Sequence, residues 1–191
     1  METKKYTLLT ENQIDKLGNT LIYLLDHCKD LSKTKLLKLV YILDEISIKR
    51  SGIPFFNLNY KLWQFGPVSE ELFIELSDEP SLLKNFIKQN AKGEVESCVS
   101  FDDSEFSDND MELLDSVIDL FASKTATELV SYTHRQTTPW YRTADKNGVL
   151  ELLENGNITN TEILVDMADL VSHDERKRII YEDYISANTA R

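Results

Sequence analysis

Apolar residues recur at helical spacing through most of the chain. Between Glu11 and Cys28, the residues Ile14, Leu17, Leu21, Leu24, Leu25 and Cys28 fall three and four apart and mark one face of a helix. After a short polar break, Ser32 is placed to cap a second helix by accepting from a free amide of its first turn. Leu36, Leu39, Val40, Leu43 and Ile46 form the buried stripe of that helix, with Lys35, Lys38 and Asp44 off it or at its edge. Ser51-Gly52-Ile53-Pro54 stops it: glycine allows a left-handed cap, and proline cannot extend the hydrogen-bond ladder. The pattern then changes period. Tyr60, Leu62 and Gln64 alternate with Lys61, Trp63 and Phe65, as in a short strand. Gly66-Pro67 follows, with Pro67 suited to a first helical turn and Ser69-Glu70-Glu71 putting carboxylates beside free amides. A helix through Ser77 is predicted, then a further helical piece opened by Pro80-Ser81 and carrying Leu82, Leu83, Phe86 and Ile87. Glu94 to Phe101 predicts a second strand, expected to pair with the first and to pack on the helices, since two strands alone are marginal in water.

The later chain is helical again. Ser107 caps a helix whose face is Met111, Leu114, Val117, Ile118 and Phe121. Thr125-x-x-Glu128 is a capping box, Thr138-Pro139 is a start signal, and Thr159-x-x-Glu162 and Ser172-x-x-Glu175 predict two more helices. The last few residues should fray. The resulting fold class is mainly α: a compact helical domain with a small antiparallel β element inserted between helices. A single domain over 1–191 is expected, with 143–191 as a carboxy-terminal helical extension.

Charge narrows the set of functions. Against 21 basic residues stand 33 acidic ones, for a net charge of −12. Such a surface repels phosphate backbones, so nucleic acid is an unfavourable partner and a basic protein a favourable one. The acid is concentrated. Gly93 to Ser123 holds no Lys or Arg but carries ten carboxylates, among them Asp102, Asp103, Glu105, Asp108 and Asp110. Its spacing lacks the turn glycine and terminal glutamate of a calcium loop. Lys33, Lys35, Lys38, Lys49 and Arg50 make a modest basic cluster, expected to be a solvated helix face. Two cysteines, Cys28 and Cys98, form no disulfide framework and no zinc spacing, which suits a reducing compartment. Met1 to Tyr6 is not followed by an apolar leader core, and no apolar run nears the roughly 20 residues of a membrane span. These features point to the cytoplasm, without a membrane.

No motif in the chain announces chemistry. There is no phosphate-binding glycine loop, no Gly-x-Ser-x-Gly elbow and no His-Glu-x-x-His. His27 and Cys28 are adjacent on a helix and so point about 100° apart. His134, just past a capped helix and shortly before Trp140, has two ring nitrogens able to tie a loop to two elements. A structural clamp is expected there. A hydrolytic role for His134 is the enzymatic alternative. No cofactor, metal ligand set or catalytic residue is expected.

The order of these blocks resembles the SocA-like antitoxin family, or Panacea domain. The resemblance rests on Lys35-Leu36-Leu37-Lys38-Leu39-Val40-Tyr41, on Gly52, on Tyr60-Lys61-Leu62-Trp63-Gln64-Phe65-Gly66-Pro67-Val68, and on Leu129 to His134 followed by Trp140. It spans roughly Ser32 to Arg142. Leu37 stands where the family usually has Gln, and a Gln-Thr-Thr-Pro turn separates His134 from Trp140. The resemblance implies a binding protein without established catalytic residues or cofactor, in some cases carried by phages or prophages, that neutralises a protein toxin usually encoded by the adjacent gene. An adaptor handing its partner to a cytoplasmic protease is the alternative it suggests. The shared residues Lys35, Leu39, Tyr41, Trp63, Gly66, Pro67, Val68, His134 and Trp140 are expected to be scaffold. The partner-binding surface is expected at Asp102, Asp103, Glu105, Phe106, Asp108 and Asp110, with Phe55, Phe56 and Phe73 as further candidate anchors. The sequence leaves a homo-oligomer open.

Overall fold

The computed structural model describes residues 9–189. The stretch Met1 to Tyr6, read above as lacking a leader, and the last two residues, read as frayed, lie outside them. Helix α1 (Glu11–His27) opens with a capping box, in which Thr10 accepts from the Gln13 amide and the Gln13 side chain accepts from the Thr10 amide. Helix α2 (Lys33–Ser51) is capped by Ser32 and closes at Gly52, which has φ +82°. A Cβ at position 52 would stand 2.6 Å from the Lys177 carbonyl oxygen, so the cap and a close backbone approach both call for glycine.

Helix α2 corrects one expectation. From Lys35 to Glu45 it is buried on every side: Leu36, Leu37, Leu39, Val40, Tyr41, Ile42 and Leu43 are all in the core. Apolar residues on every side of this stretch make it interior, so the polar residues within it are interior too. Lys35, Lys38, Asp44 and Glu45 are buried, not solvated. Asp44 accepts from the Phe56 amide at 2.6 Å and the Tyr60 hydroxyl at 2.8 Å, which fixes the chain leaving the helix. Phe55 and Phe56 are core residues, which removes them as exposed anchors.

Strands β1 (Lys61–Trp63) and β2 (Gly66–Val68) form a tight hairpin with Leu62 opposite Pro67. Pro67 is therefore a strand residue, and helix α3 (Glu70–Glu75) starts only after its cap, Ser69. The expected pairing of 94–101 with β1 is not formed. Strand β4 (Val95–Ser97) instead pairs with β3 (Ile87–Gln89) across a short turn. The turn is held by the Asn90 side chain, which accepts from the amides of Lys92 and Glu94. Local closure costs less entropy than a distant pairing. The helix expected from Pro80-Ser81 is also absent. The Glu75 carboxylate accepts from the amides of Ser81, Leu82 and Leu83 at 3.0 Å each, binding them as a cap would, but the chain turns into β3.

Helices α4 (Asp108–Phe121), α5 (Ala126–Thr133) and α6 (Pro139–Lys146) begin at the predicted caps Ser107, Thr125 and Thr138. Helix α7 (Leu150–Glu154) follows. Thr159-x-x-Glu162 then fails as a helix start. Asn160–Leu164 is strand β5, antiparallel to β1, in a sheet of order β2-β1-β5. The Thr159 carbonyl accepts from the Gln64 amide and Thr161 donates to the Leu62 carbonyl oxygen, so tertiary pairing overrides a local signal. Met167–Val171 is a 3₁₀ turn, and α8 (Glu175–Thr189) is capped by Asp174, not Ser172. Lys35 donates to the Lys29 carbonyl and to Ala122, the last cap of α4, placing a cation where the helix dipole favours one. The buried apolar side chains form one cluster running from Leu17 to Val171. The fold is mainly α with small antiparallel sheets.

Candidate functional site

The turn between β1 and β2 is tied to three helices and to the segment beside β5. Side chains at three helices reach its carbonyls from inside. Trp140 of α6 donates its indole N–H to the Trp63 carbonyl at 3.1 Å. His134, the cap of α5, lies with Nε2 3.0 Å from the Gln64 carbonyl oxygen. Lys38 of α2 donates to the Pro67 carbonyl at 2.9 Å. From the other side, the Gln64 amide donates to the Thr159 carbonyl beside β5. Gly66 sits among these groups with φ +98°. A Cβ there would meet Thr133 Oγ1 at 2.6 Å, Lys38 Cε at 3.1 Å and His134 Cε1 at 3.3 Å. Glycine is required by conformation and by space.

His134 lies between α5 and the turn. Its Nδ1 lies 2.6 Å from the Val130 carbonyl oxygen, and its ring rests on Trp140 with centroids 3.9 Å apart. Both nitrogens face carbonyl oxygens, so neither is left to serve a substrate as base or acid. Only the doubly protonated ring can donate to both. Burial nonetheless pulls the imidazole below its ordinary pKa, with the Lys38 charge adding to it, against the two carbonyls. Lys38 is 1% exposed, and burial lowers its ammonium to about 7. Among the described residues no carboxylate lies within 4.0 Å of it.

Outside this knot the turn presents a surface. Phe65, at its tip, is 63% exposed, more than any other large apolar side chain among the described residues. Beside it opens a pocket of about 240 Å³, walled by Leu37, Trp63, Phe65, Val68 and Phe73, with Lys38 among its lining. Trp63 meets Phe73 edge-on at 4.9 Å, and the Lys33 ammonium lies 4.3 Å over the Phe73 ring. Lys38 is the one charged residue lining this pocket among the described residues. Leu37 forms part of the wall.

The model of the family "Antitoxin SocA-like, Panacea domain" matches residues 36–141, more than half of the chain. The chain belongs to that family. The Panacea span contains Lys38, Gly66, His134 and Trp140, while Thr159, which holds the turn from the other side, lies beyond it. No curated protein and no solved structure matches the chain closely enough to count as a relative.

The other residues singled out in the sequence are placed as follows. Leu39 and Tyr41 are core residues of α2, Tyr41 edge-on to Tyr60 at 5.0 Å. Burial first, then the Glu45 carboxylate, hold the Tyr41 phenol well above its ordinary pKa. Val68 is buried in β2. In the acidic segment, several carboxylates serve the fold itself. Asp102 accepts from the Ser104 amide. Asp110 caps α4 through Ser107 and pairs with Lys16 at 2.9 Å. Burial pushes the Asp110 carboxyl up, but the Ser107 amide and Lys16 outweigh it and hold it below its usual range. Asp115 accepts from Tyr23, whose phenol is pushed up to about 12 by that bond and by burial. Phe106 is half-buried against Phe55 and Phe101. Glu105 and Asp110 come together on a cleft of about 670 Å³ beside Lys16 and Arg50, while Asp102, Asp103 and Asp108 lie exposed outside it. No group of three metal-ligating side chains gathers among the described residues, and no helix there is long and apolar enough to cross a membrane.

Proposed function

We propose that this chain is the antitoxin of a toxin–antitoxin pair and neutralises the toxin encoded by the adjacent gene through direct binding in the cytoplasm. The observation that carries this reading is the family match over residues 36–141. The geometry supports it. The residues that characterise the chain tie a turn into place instead of lining a reaction centre, and the imidazole that a hydrolytic reading would need has both nitrogens engaged by backbone carbonyls. The net charge of −12 favours a basic partner and speeds its encounter.

Co-expression tests the proposal. Cells producing the adjacent gene's product alone should stop growing, and cells producing both proteins should grow. A harmless neighbour, or a toxic one that this chain does not relieve, would reject it. The half-life of the neighbour separates the mode of action: neutralisation by binding leaves it unchanged or lengthens it, and shortening would assign the chain to delivery for proteolysis.

A further inference from the structure

We infer that the β1–β2 turn and the pocket beside it grip the partner, with Phe65 entering the partner's surface and the pocket receiving an acidic side chain set among apolar residues of the toxin. This rests on the antitoxin reading and names the surface that performs it. Three observations carry it. First, the turn is tied from inside by Lys38 of α2, His134 at the end of α5 and Trp140 of α6, each on a different carbonyl. So many interior groups spent on one exposed hairpin tip pre-order a surface feature, and a pre-ordered contact loses little entropy on binding. Second, the feature so presented is a phenylalanine 63% exposed beside the half-buried Trp63 and Phe73. An aromatic projecting from a rigid turn next to an apolar pocket has the form of an interface anchor.

Third, charge selects the occupant. The chain is strongly acidic, yet no carboxylate lines this pocket among the described residues, and its one charged lining residue is Lys38. That ammonium donates to a single carbonyl, has no counter-ion within 4.0 Å, and is buried by the protein around it. A buried cation with donors to spare is paired best by a carboxylate that arrives with its own apolar surroundings. A pocket of about 240 Å³ takes one side chain of that kind, not a helix or an extended segment. The acidic segment of 93–123 then acts at longer range, on encounter, since several of its carboxylates are already engaged within the fold.

The test uses the adjacent gene's product as the probe. Affinity and growth rescue are measured for the unaltered chain, Phe65→Ala, Lys38→Met and the triple variant Asp103→Asn/Glu105→Gln/Asp108→Asn, with the thermal midpoint of each. Phe65→Ala should keep its midpoint within a few degrees and lose at least tenfold in affinity. Lys38→Met should also bind at least tenfold more weakly. The triple variant should lose mainly on-rate. A scan of the toxin's Asp and Glu residues to amides should then find one whose loss weakens binding to the unaltered chain but not to Lys38→Met. Full affinity in Phe65→Ala would overturn the inference, whatever becomes of Lys38→Met. So would the absence of any such coupled acidic residue, or coupling instead to removal of the toxin's terminal carboxylate. Those results leave the antitoxin reading standing if the unaltered chain still rescues growth. Failure of the unaltered chain to bind or rescue overturns both.

Discussion

At the scale of single residues, the chain's most informative groups are the ones that look least at home in a core. Lys38 sits on a buried stretch of α2 with its Nζ on the Pro67 carbonyl, and burial leaves it an ammonium that releases its proton near neutrality. In the unfolded chain the same group holds its proton up to its ordinary value of 10.5. Between about pH 7 and 10.5 the unfolded state therefore binds more protons at this site than the folded one, and the contribution of Lys38 to stability rises with pH. Below pH 7 the cost of the buried charge is present in full. Denaturant titrations of the unaltered chain and Lys38→Met from pH 6 to 9 should show the Met variant at its greatest relative advantage at pH 6, with the difference shrinking as pH rises. A constant difference would show that Lys38 is not buried as a cation. Two neighbours allow simpler tests. His134→Ala should lower stability by about 1–3 kcal/mol through lost packing on Trp140 and two stranded carbonyls. Gly66→Ala should cost about 3 kcal/mol, because it combines a positive φ with an overlap on Thr133. Chemical denaturation measures both.

At the scale of elements, legibility follows how local the deciding interaction is. The starts at Ser32, Ser107, Thr125 and Thr138 were readable because a cap and its amides lie within three residues. The clamp at His134 and Trp140 was readable as a loop tie, though not the identity of the turn it holds. Strand β5 was unreadable, since Thr159 and Glu162 carry a helix signal and only β1, about a hundred residues away in sequence, makes the segment extended. The burial of Lys35, Lys38 and Asp44 had a visible signal in the apolar residues Leu36, Leu37, Leu39, Val40, Tyr41, Ile42 and Leu43, which fall on every side of α2. Phe65 gave no signal of its own, because a strand pattern cannot tell an exposed tip residue from a core one. Helix α8 lies at the other extreme from α2. None of its described side chains is buried, and it touches the body mainly through α2 and the 3₁₀ turn. Hydrogen exchange should find α8 amides exchanging through local opening, orders of magnitude faster than those in the middle of α2. Equal protection of the two would mean that α8 opens only with the whole fold.

At the scale of the whole molecule, a net charge of −12 gives the chain a long-range field, and the knot beneath the β1–β2 turn gives it a short-range shape. The two have different signatures. Raising ionic strength should slow association with the toxin while leaving dissociation nearly unchanged, as measured by stopped-flow or biosensor kinetics. The central claim, that the chain acts by occupying its partner and not by transforming it, is tested most directly by titrating purified toxin with purified chain and following toxin activity. Activity should fall in a straight line and vanish at one fixed stoichiometric ratio, with the toxin recovered intact and active when the complex is dissociated. Loss of activity at far below stoichiometric amounts of the chain, or no loss at a large excess, would contradict it.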